Sequence, residues 1–445
     1  MSRQYRLIFE SYDLFNESES VRTELMAGSI EIPIDLFTIG FSHEQQIEII
    51  KSSQDALIKE QFRQRDIKDE YCPHCPDNIL IRVGKSKSGY HDVFTDHKIS
   101  MTRKQCPMCN QEIGSTVRKV FGNSMSADLT KIQAELGSDY SYRESEQLFT
   151  RFAHGKRDIN NHDRIKQTSE LIGEQLQILH DDEAQLVTIE PAAELIISVD
   201  GGHIKTTETD TRSFEAMVSI VYKPESLVNN GEDAHNRLTS KNCAGTTLND
   251  NGQQIISNTI VAALKQGLTP HTKVTALCDG AINCWQVIDA FKPISASVTC
   301  ILDWFHLSMR IHNISLPDDF KPELESIKWC LWHGKVKDAL VKLNKLIWDC
   351  PEKCKSILEK LNTYISNNSD KIVNYDERKN AGLVYTSNLA EATVESLINQ
   401  RCKGQKRMRW SREGLNPILQ LRAAISSDDW NNNWKLAVSN AITKH

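Results

Sequence analysis

The chain has 445 residues, and 53 lysines and arginines against 59 aspartates and glutamates leave a net charge of −6. That length exceeds what one compact core organises and points to two to four domains, while the charge offers no global attraction for nucleic acid, so any DNA contact needs local basic patches. No apolar run reaches the roughly 20 residues of a membrane helix and the opening "MSRQYRLIFESYDLF" lacks signal-peptide order, so the sequence predicts a soluble cytoplasmic protein, with no membrane partner, whose twelve cysteines suit metal binding or burial rather than disulfides.

Residues 1–69 read as an amino-terminal helical segment, with Ile47, Ile50, Leu57, Ile58 and Phe62 at helical spacing over 43–69. Residues 70–115 follow as a zinc-ribbon-like module. "YCPHCPDNIL" and "KQCPMCNQEIG" supply Cys72, Cys75, Cys106 and Cys109 as two Cys-x-x-Cys pairs. Two intervening residues let each turn point both thiolates at one ion, and two such turns complete a four-sulfur shell for structural Zn²⁺. The stretch between them alternates apolar with polar or basic residues, as a short hairpin would. Its Lys85, Lys87, Lys98, Arg103 and Lys104 suit phosphate contact or a solvated basic face.

Residues 116–190 form the next module. "SYRESEQLFTRFAHGKRDINNHDRIKQTSELIGEQLQIL" predicts two helices joined at "AHGKRDIN", which fits a helix-turn-helix or an ordinary helical hairpin. In the first case Asn160, Asn161, His162, Arg164 and Lys166 would face a major groove.

After Pro191 the character changes. "ELIISVDGGHIK" and "FEAMVSIVYKP" predict neighbouring strands, "GQQIISNTIVAALKQG" a helix, and "KVTALCDGAINCW" and "SVTCILDWFHLSMR" two further strands. Three of the four strands are read as finishing on an acid: Asp200, Asp279 and Asp303. In an open α/β sheet such ends share one edge, where ligands bind. Residues 317–370 predict helices, with Trp329, Trp332 and Trp348 assigned to the core and Cys350 and Cys354 as small buried residues.

In "YTSNLAEATVESLINQRCKGQKRMRWSREG" Ser387 caps a helix that carries Glu391 and Glu395 on one side. Arg401, Lys403, Lys406, Arg407, Arg409 and Arg412 follow without an acid among them, a surface suited to phosphate. Trp410 within that run could stack on an unpaired base.

These blocks carry a resemblance. "IISVDGG", "LCDGAINCW", "ILDWFHLSMRI", "KWCLWHGK" and "TVESLINQRCKGQKRMRWSREG" look like the corresponding blocks of bacterial insertion-sequence transposases of the DDE type, nearest the ISKra-like group and more distantly Mutator-like transposases. The resemblance covers roughly residues 190–430. It implies an α/β fold with a ribonuclease H-like mixed sheet: a first part over 191–310, a helical insertion over 311–385, and a last helix with a basic segment over 386–445. It further implies that Asp200, Asp279 and Glu395 hold two Mg²⁺ ions, replaceable by Mn²⁺, for cleavage and joining of double-stranded DNA by at least a dimer, on the nucleoid. Asp303 competes with Asp279, and the "DG" block decides for Asp279. Asp303 and His306 form an alternative i,i+3 pair that packs or steers DNA. Glu391 competes with Glu395, and "VES" decides for Glu395. A nuclease that cuts without joining, and a DNA-binding protein whose chemistry is lost, are the other functions compatible with the sequence.

Overall fold

The computed structural model describes residues 3–14, 20–68, 70–114, 116–181, 190–228, 237–387, 395–403, 408–427 and 430–443. The chain is a mixed α/β protein that divides into two compact units, residues 1–168 with 438–445, and residues 169–437.

The first unit opens on an antiparallel hairpin, β1 (Arg3–Ser11) with β2 (Val21–Ile30). The expectation of a helical segment over 1–69 is corrected here: only α1 (His43–Lys68) is an α-helix. In β1 exposure alternates with period two, Tyr5, Leu7 and Phe9 being half-buried between the exposed Arg6 and Ile8, as on one face of a sheet. Gly28 lies beneath the ring of Tyr5, whose atoms come within 2.9 Å of where a Cβ would stand. Three antiparallel strands follow, β3 (Ile81–His91), β4 (Asp96–Gln105) and β5 (Glu112–Ile113), in the order β3-β4-β5. Ile58 of α1 packs on Ile99 and Met101 of β4 and on Val117, which starts α2 (Val117–Phe121).

Ser126 and Ser141 cap α3 (Ala127–Asp139) and α4 (Tyr142–Phe152) through their side-chain oxygens. The chain then turns into α5 (His162–Asp181), so the two helices expected around "AHGKRDIN" form. Leu129, Phe149 and Ile165 give α3, α4 and α5 a common core. Arg157 in that turn joins this core to the ribbon hairpin: it donates to the carbonyls of Asp92, Val93 and Thr95 and to the Asp96 carboxylate.

The second unit is built on a five-stranded mixed sheet of order β10-β7-β6-β11-β12. Its strands are β6 (Glu194–Lys205), β7 (Ser213–Tyr222), β10 (Asn242–Thr246), β11 (Lys273–Cys278) and β12 (Ser297–Leu302). A two-residue pair, β8 (Leu227–Val228) with β9 (Arg237–Leu238), lies apart from it. β7 is antiparallel to β6 and β10, whereas β11 is parallel to β6 and β12. One face, with Leu195, Ile197, Val199, Val274, Ala276 and Cys278, is covered by α6 (Gln253–Lys265) and α7 (Ile282–Asp289). The helix Arg412–Ser426 packs on β10, where Leu419 fills the space over Gly245.

Beyond β12 come α8 (Trp304–His312), α9 (Lys321–Trp332), α10 (Val336–Asp349), α11 (Glu352–Asn367) and α12 (Tyr375–Asn380). The helices expected over 317–370 form. Their tryptophans do not all enter the core: Trp332 packs against Trp304, Tyr375 and Tyr385, but Trp329 and Trp348 are exposed. The apolar spacing of α10 is satisfied by Ala339, Leu343 and Leu346, which leaves Trp348 outside that stripe. Cys350 and Cys354 are buried, as read. Among the described residues no helix is long and apolar enough to cross a membrane.

Candidate functional site

Cys72, Cys75, Cys106 and Cys109 converge, with all four sulfurs within 4.8 Å of one another. Each pair is shaped by a backbone turn: Asn78 N–H donates to Cys75 O, and Asn110 N–H donates to Cys106 O with Asn110 in the left-handed region at φ 56°. A tetrahedral shell with Zn–S near 2.3 Å sets its sulfurs about 3.8 Å apart. Cys72 Sγ and Cys109 Sγ stand 3.8 Å apart, far beyond a disulfide bond. Backbone N–H groups of Cys109 and Met108 hold the Cys106 thiol down at about 7. Burial, followed by the neighbouring Cys109 and Cys106, pushes Cys75 up to about 12. The four cysteines could therefore hold a tetrahedral metal ion such as zinc, with Cys72 and Cys106 buried beside Leu80.

The second constellation follows from strand register. Cys278 pairs with Val199 on one side and with Leu302 on the other, so the next residues on three adjacent parallel strands are Asp200, Asp279 and Asp303. Side chains alternate along a strand. Val199 and Cys278 face the core under α6 and α7, so Asp200, still within β6, projects from the opposite face, whereas Asp279 and Asp303 lie just past the ends of β11 and β12 and the Asp279 carboxylate reaches Cys284 of α7. The three acids line one narrow cleft of about 10 Å³ together with Ser198, His306 and Ser387, room for about one water-sized group.

Asp200 does not end its strand, as the sequence suggested. β6 runs six residues beyond the Val199–Cys278 pair because β7 continues beside it to Lys205. Asp279 does follow β11 directly, and its carboxylate accepts from Ala281 N–H at 2.8 Å. Asp303 is fully buried and caps α8: it accepts from Phe305 N–H and Ser387 N–H, and also from the Ser387 hydroxyl. His306 Nε2 stands 3.6 Å from it. These carboxylates charge their surroundings. Burial first, then the charge of Asp279 and Asp200, raises the Cys278 thiol well above its ordinary value, and burial followed by Asp303 does the same to Tyr375.

Glu395 is exposed and begins a π-helical turn, Glu395–Asn399, where the Asn399 amide donates to it. It does not line the cleft. Ile398 of that turn packs over Gly202, two residues from Asp200 on the same face, and Lys403 Nζ lies beside it. Arg422 fastens the turn by donating to the carbonyls of Leu397 and Ser396. Glu391, Lys406 and Arg407 lie outside the described residues. Among the described residues, the four cysteines are the one group of three or more potential ligands whose donor atoms all lie within 4.8 Å.

The basic run divides. Lys403 and Arg409 are exposed. Arg401 and Trp410, read as DNA contacts, are instead buried against each other, the guanidinium 4.9 Å from the ring centroid. Trp410 is drawn in because its backbone pairs with the end of β6, donating to Lys205 O and accepting from Thr207 N–H. Arg412 donates to Thr247 O and lies over Phe214. In the helical module, Asn160 is buried against Gln133, Asn161 caps α5, and His162 meets Glu146, so of the five polar residues Arg164 and Lys166 are the exposed ones.

Comparison with known proteins finds no family model and no curated protein that matches this chain. The site is therefore read from its own geometry. Three hydroxyls hold the acid-bearing strand ends in roles that sequence reasoning missed, Ser387 among them, which was read as a helix cap. Tyr364 donates to Asp279 O at 2.7 Å, Tyr375 to Leu302 O at 2.7 Å, and Ser387 to the Asp303 carboxylate. They come from 85, 73 and 84 residues away, a separation for which local pattern carries no signal. Glu215 was also missed, although an acid inside the apolar "FEAMVSIVY" is visible in the sequence. It lies on the opposite sheet face and accepts from the Asn283 amide, which follows Asp279 by four residues.

Proposed function

We propose that the protein is a DDE-type DNA transposase, cutting and joining DNA at the ends of its element with divalent metal held by Asp200, Asp279 and Glu395. The observation that carries this reading is the register that sets Asp200 and Asp279 at the same level of adjacent parallel strands, lining one cleft. The sheet, with its first strand antiparallel to the second and parallel to the fourth and fifth, fits the ribonuclease H-like arrangement that the sequence resemblance implies. Carboxylate oxygens are the donors that Mg²⁺ and Mn²⁺ take, and adjacent carboxylates repel one another unless a cation lies between them. When bound, such ions activate a nucleophilic oxygen and stabilise a leaving oxygen in phosphoryl transfer.

The chain's own residues divide the remaining work. Asp279 is favoured over Asp303 as the second acid because the Asp303 carboxylate is already engaged with Ser387 and Phe305. Glu395 is given the third position by the sequence resemblance; it stands outside the cleft, on the turn whose Ile398 packs over Gly202. Lys403 and Arg409 offer charge to a DNA backbone, and Arg164 and Lys166 offer a second basic contact from the start of α5. The cysteine-held ribbon and the helices beside it serve site recognition.

The test is plasmid cleavage under Mg²⁺ and Mn²⁺. Wild type should cut, and Asp200→Asn, Asp279→Asn and Glu395→Gln should each lose cleavage while keeping DNA binding. Normal cutting by any one variant removes that residue from the triad. If wild type also fails to cut but binds DNA, the inactive, binding-only function replaces this one. Cleavage without strand transfer would leave a nuclease.

A further inference from the structure

Between β2 and α1 the chain exposes an apolar arm that its own unit does not cover. In "EIPIDLFTIG" the side chains of Ile32, Ile34, Leu36, Phe37 and Ile39 are 62–95% exposed. The arm is nevertheless held in shape. Asp35 caps the short 3-10 turn Leu36–Thr38 by accepting from Phe37 N–H and Thr38 N–H, and Thr38 Oγ1 accepts in return from the N–H groups of Ile34 and Asp35. Leu36 and Phe37 are thus fixed outward by local hydrogen bonds, which lowers the ordering cost of docking.

We infer that this arm is a self-association surface, docking on the β1–β2 hairpin of a second copy of the chain. Area is the first reason. Five large apolar side chains, at roughly 150–250 Å² for the aromatic and somewhat less for the aliphatic ones, present on the order of 800 Å², one partner's share of a standard specific interface. A monomer rarely leaves so large a contiguous apolar patch in water. The hairpin supplies the second reason. No described residue of β1 or β2 is fully buried even though α1 packs beside both strands, and Ile8, Val21 and Ile30 remain 41–55% exposed for a partner to cover. Charge is the third. Residues 31–42 contain the acids Glu31 and Asp35 and no basic residue, while the hairpin carries Arg3, Arg6 and Arg22 against Glu10 and Glu24, and Arg22 pairs with Glu10. Such complementarity is met twice when two copies exchange arms about a two-fold axis. The same acids, with no lysine or arginine beside the apolar side chains, disfavour a lipid surface.

Sedimentation velocity on the full-length chain, without DNA, tests this independently of any catalytic role. Wild type should be a dimer at micromolar concentration. Leu36→Asp with Phe37→Asp should raise the dissociation constant at least about 100-fold, the loss expected for two hot-spot side chains. Because both side chains bury nothing in their own unit, the variant should keep its circular dichroism and bound zinc. Arg6→Glu should weaken the dimer, and adding Glu31→Arg should restore it. A monomeric wild type, a double variant that still dimerises, or a charge reversal that restores nothing overturns the inference. A monomeric wild type that co-sediments with phosphatidylcholine vesicles overturns it in favour of a lipid surface.

Discussion

Asp303 accepts three hydrogen bonds while fully buried, so Asp303→Ala leaves the Ser387 hydroxyl, Ser387 N–H and Phe305 N–H without their acceptor. Each stranded buried donor costs about 1–3 kcal/mol. The expected outcome is a fall of at least about 3 kcal/mol in stability, measured by urea unfolding. Asp279→Asn keeps an oxygen for Ala281 N–H, so unfolding should change little while Mn²⁺ binding, followed by titration, weakens. Equal effects of the two substitutions on Mn²⁺ affinity would contradict the division of roles. The acids themselves were legible as residues following apolar strands. What separates them was not, because the Ser387 that occupies Asp303 is 84 residues away.

His97 gives a pH dependence. Its ring lies buried between Asp55 and Asp92, 3.1 Å from each. Burial works against its charge, but the two carboxylates outweigh it and hold its pKa above 6.5. Burial raises Asp55 and Asp92 too, yet Lys59 and His97 for the one, and His97 with backbone donors for the other, keep both below 3.8. The histidine's contribution is complete below pH 6.5 and is lost as pH rises through its raised value. Those of the aspartates are complete above pH 3.8 and are lost as pH falls through their lowered values. The difference in unfolding midpoint between wild type and His97→Gln, in which the pH dependence of the cysteine-held metal cancels, should therefore be largest between pH 3.8 and 6.5 and shrink on the alkaline side. A difference that stays constant with pH would remove His97 as a source of pH dependence.

At the level of elements, α11 and α12 act on the sheet through two tyrosines. Tyr364 of α11 holds the carbonyl of Asp279, and Tyr375 of α12 holds that of Leu302. Tyr364→Phe and Tyr375→Phe should each cost about 1 kcal/mol of stability. Only Tyr364→Phe should weaken Mn²⁺ binding, since it frees the backbone of a proposed ligand, and matching losses in both variants would assign the tyrosines a purely structural role. The helices were legible because their apolar spacing repeats over several turns, as in Ala339, Leu343 and Leu346 of α10. The β1–β2 hairpin was missed because its alternation is short and its residues remain largely exposed, so no buried face announced it. The ends of β6 were misjudged for another reason. Strand length is set by the partner, and β7 carries β6 past Asp200.

For the molecule as a whole, the two compact units make a single unfolding transition a poor expectation, since each has its own core. The cysteine cluster belongs to the first unit, where Cys72 and Cys106 are buried with Leu80. Metal binding adds directly to the stability of what it folds, about 10 kcal/mol or more for structural zinc. Chelation, or Cys72→Ser, should therefore lower the transition that carries the first unit and release zinc, measurable together by calorimetry and metal analysis. The transition that carries the five-stranded sheet should stay in place, because none of its buried cysteines gathers into a comparable ligand set among the described residues. Mn²⁺ should do the reverse, raising the second transition through the repulsion it relieves between Asp200 and Asp279, and Asp200→Asn should abolish that rise. A chelator that shifts neither transition would remove the metal from the ribbon, and a manganese effect that survives Asp200→Asn would remove it from the cleft.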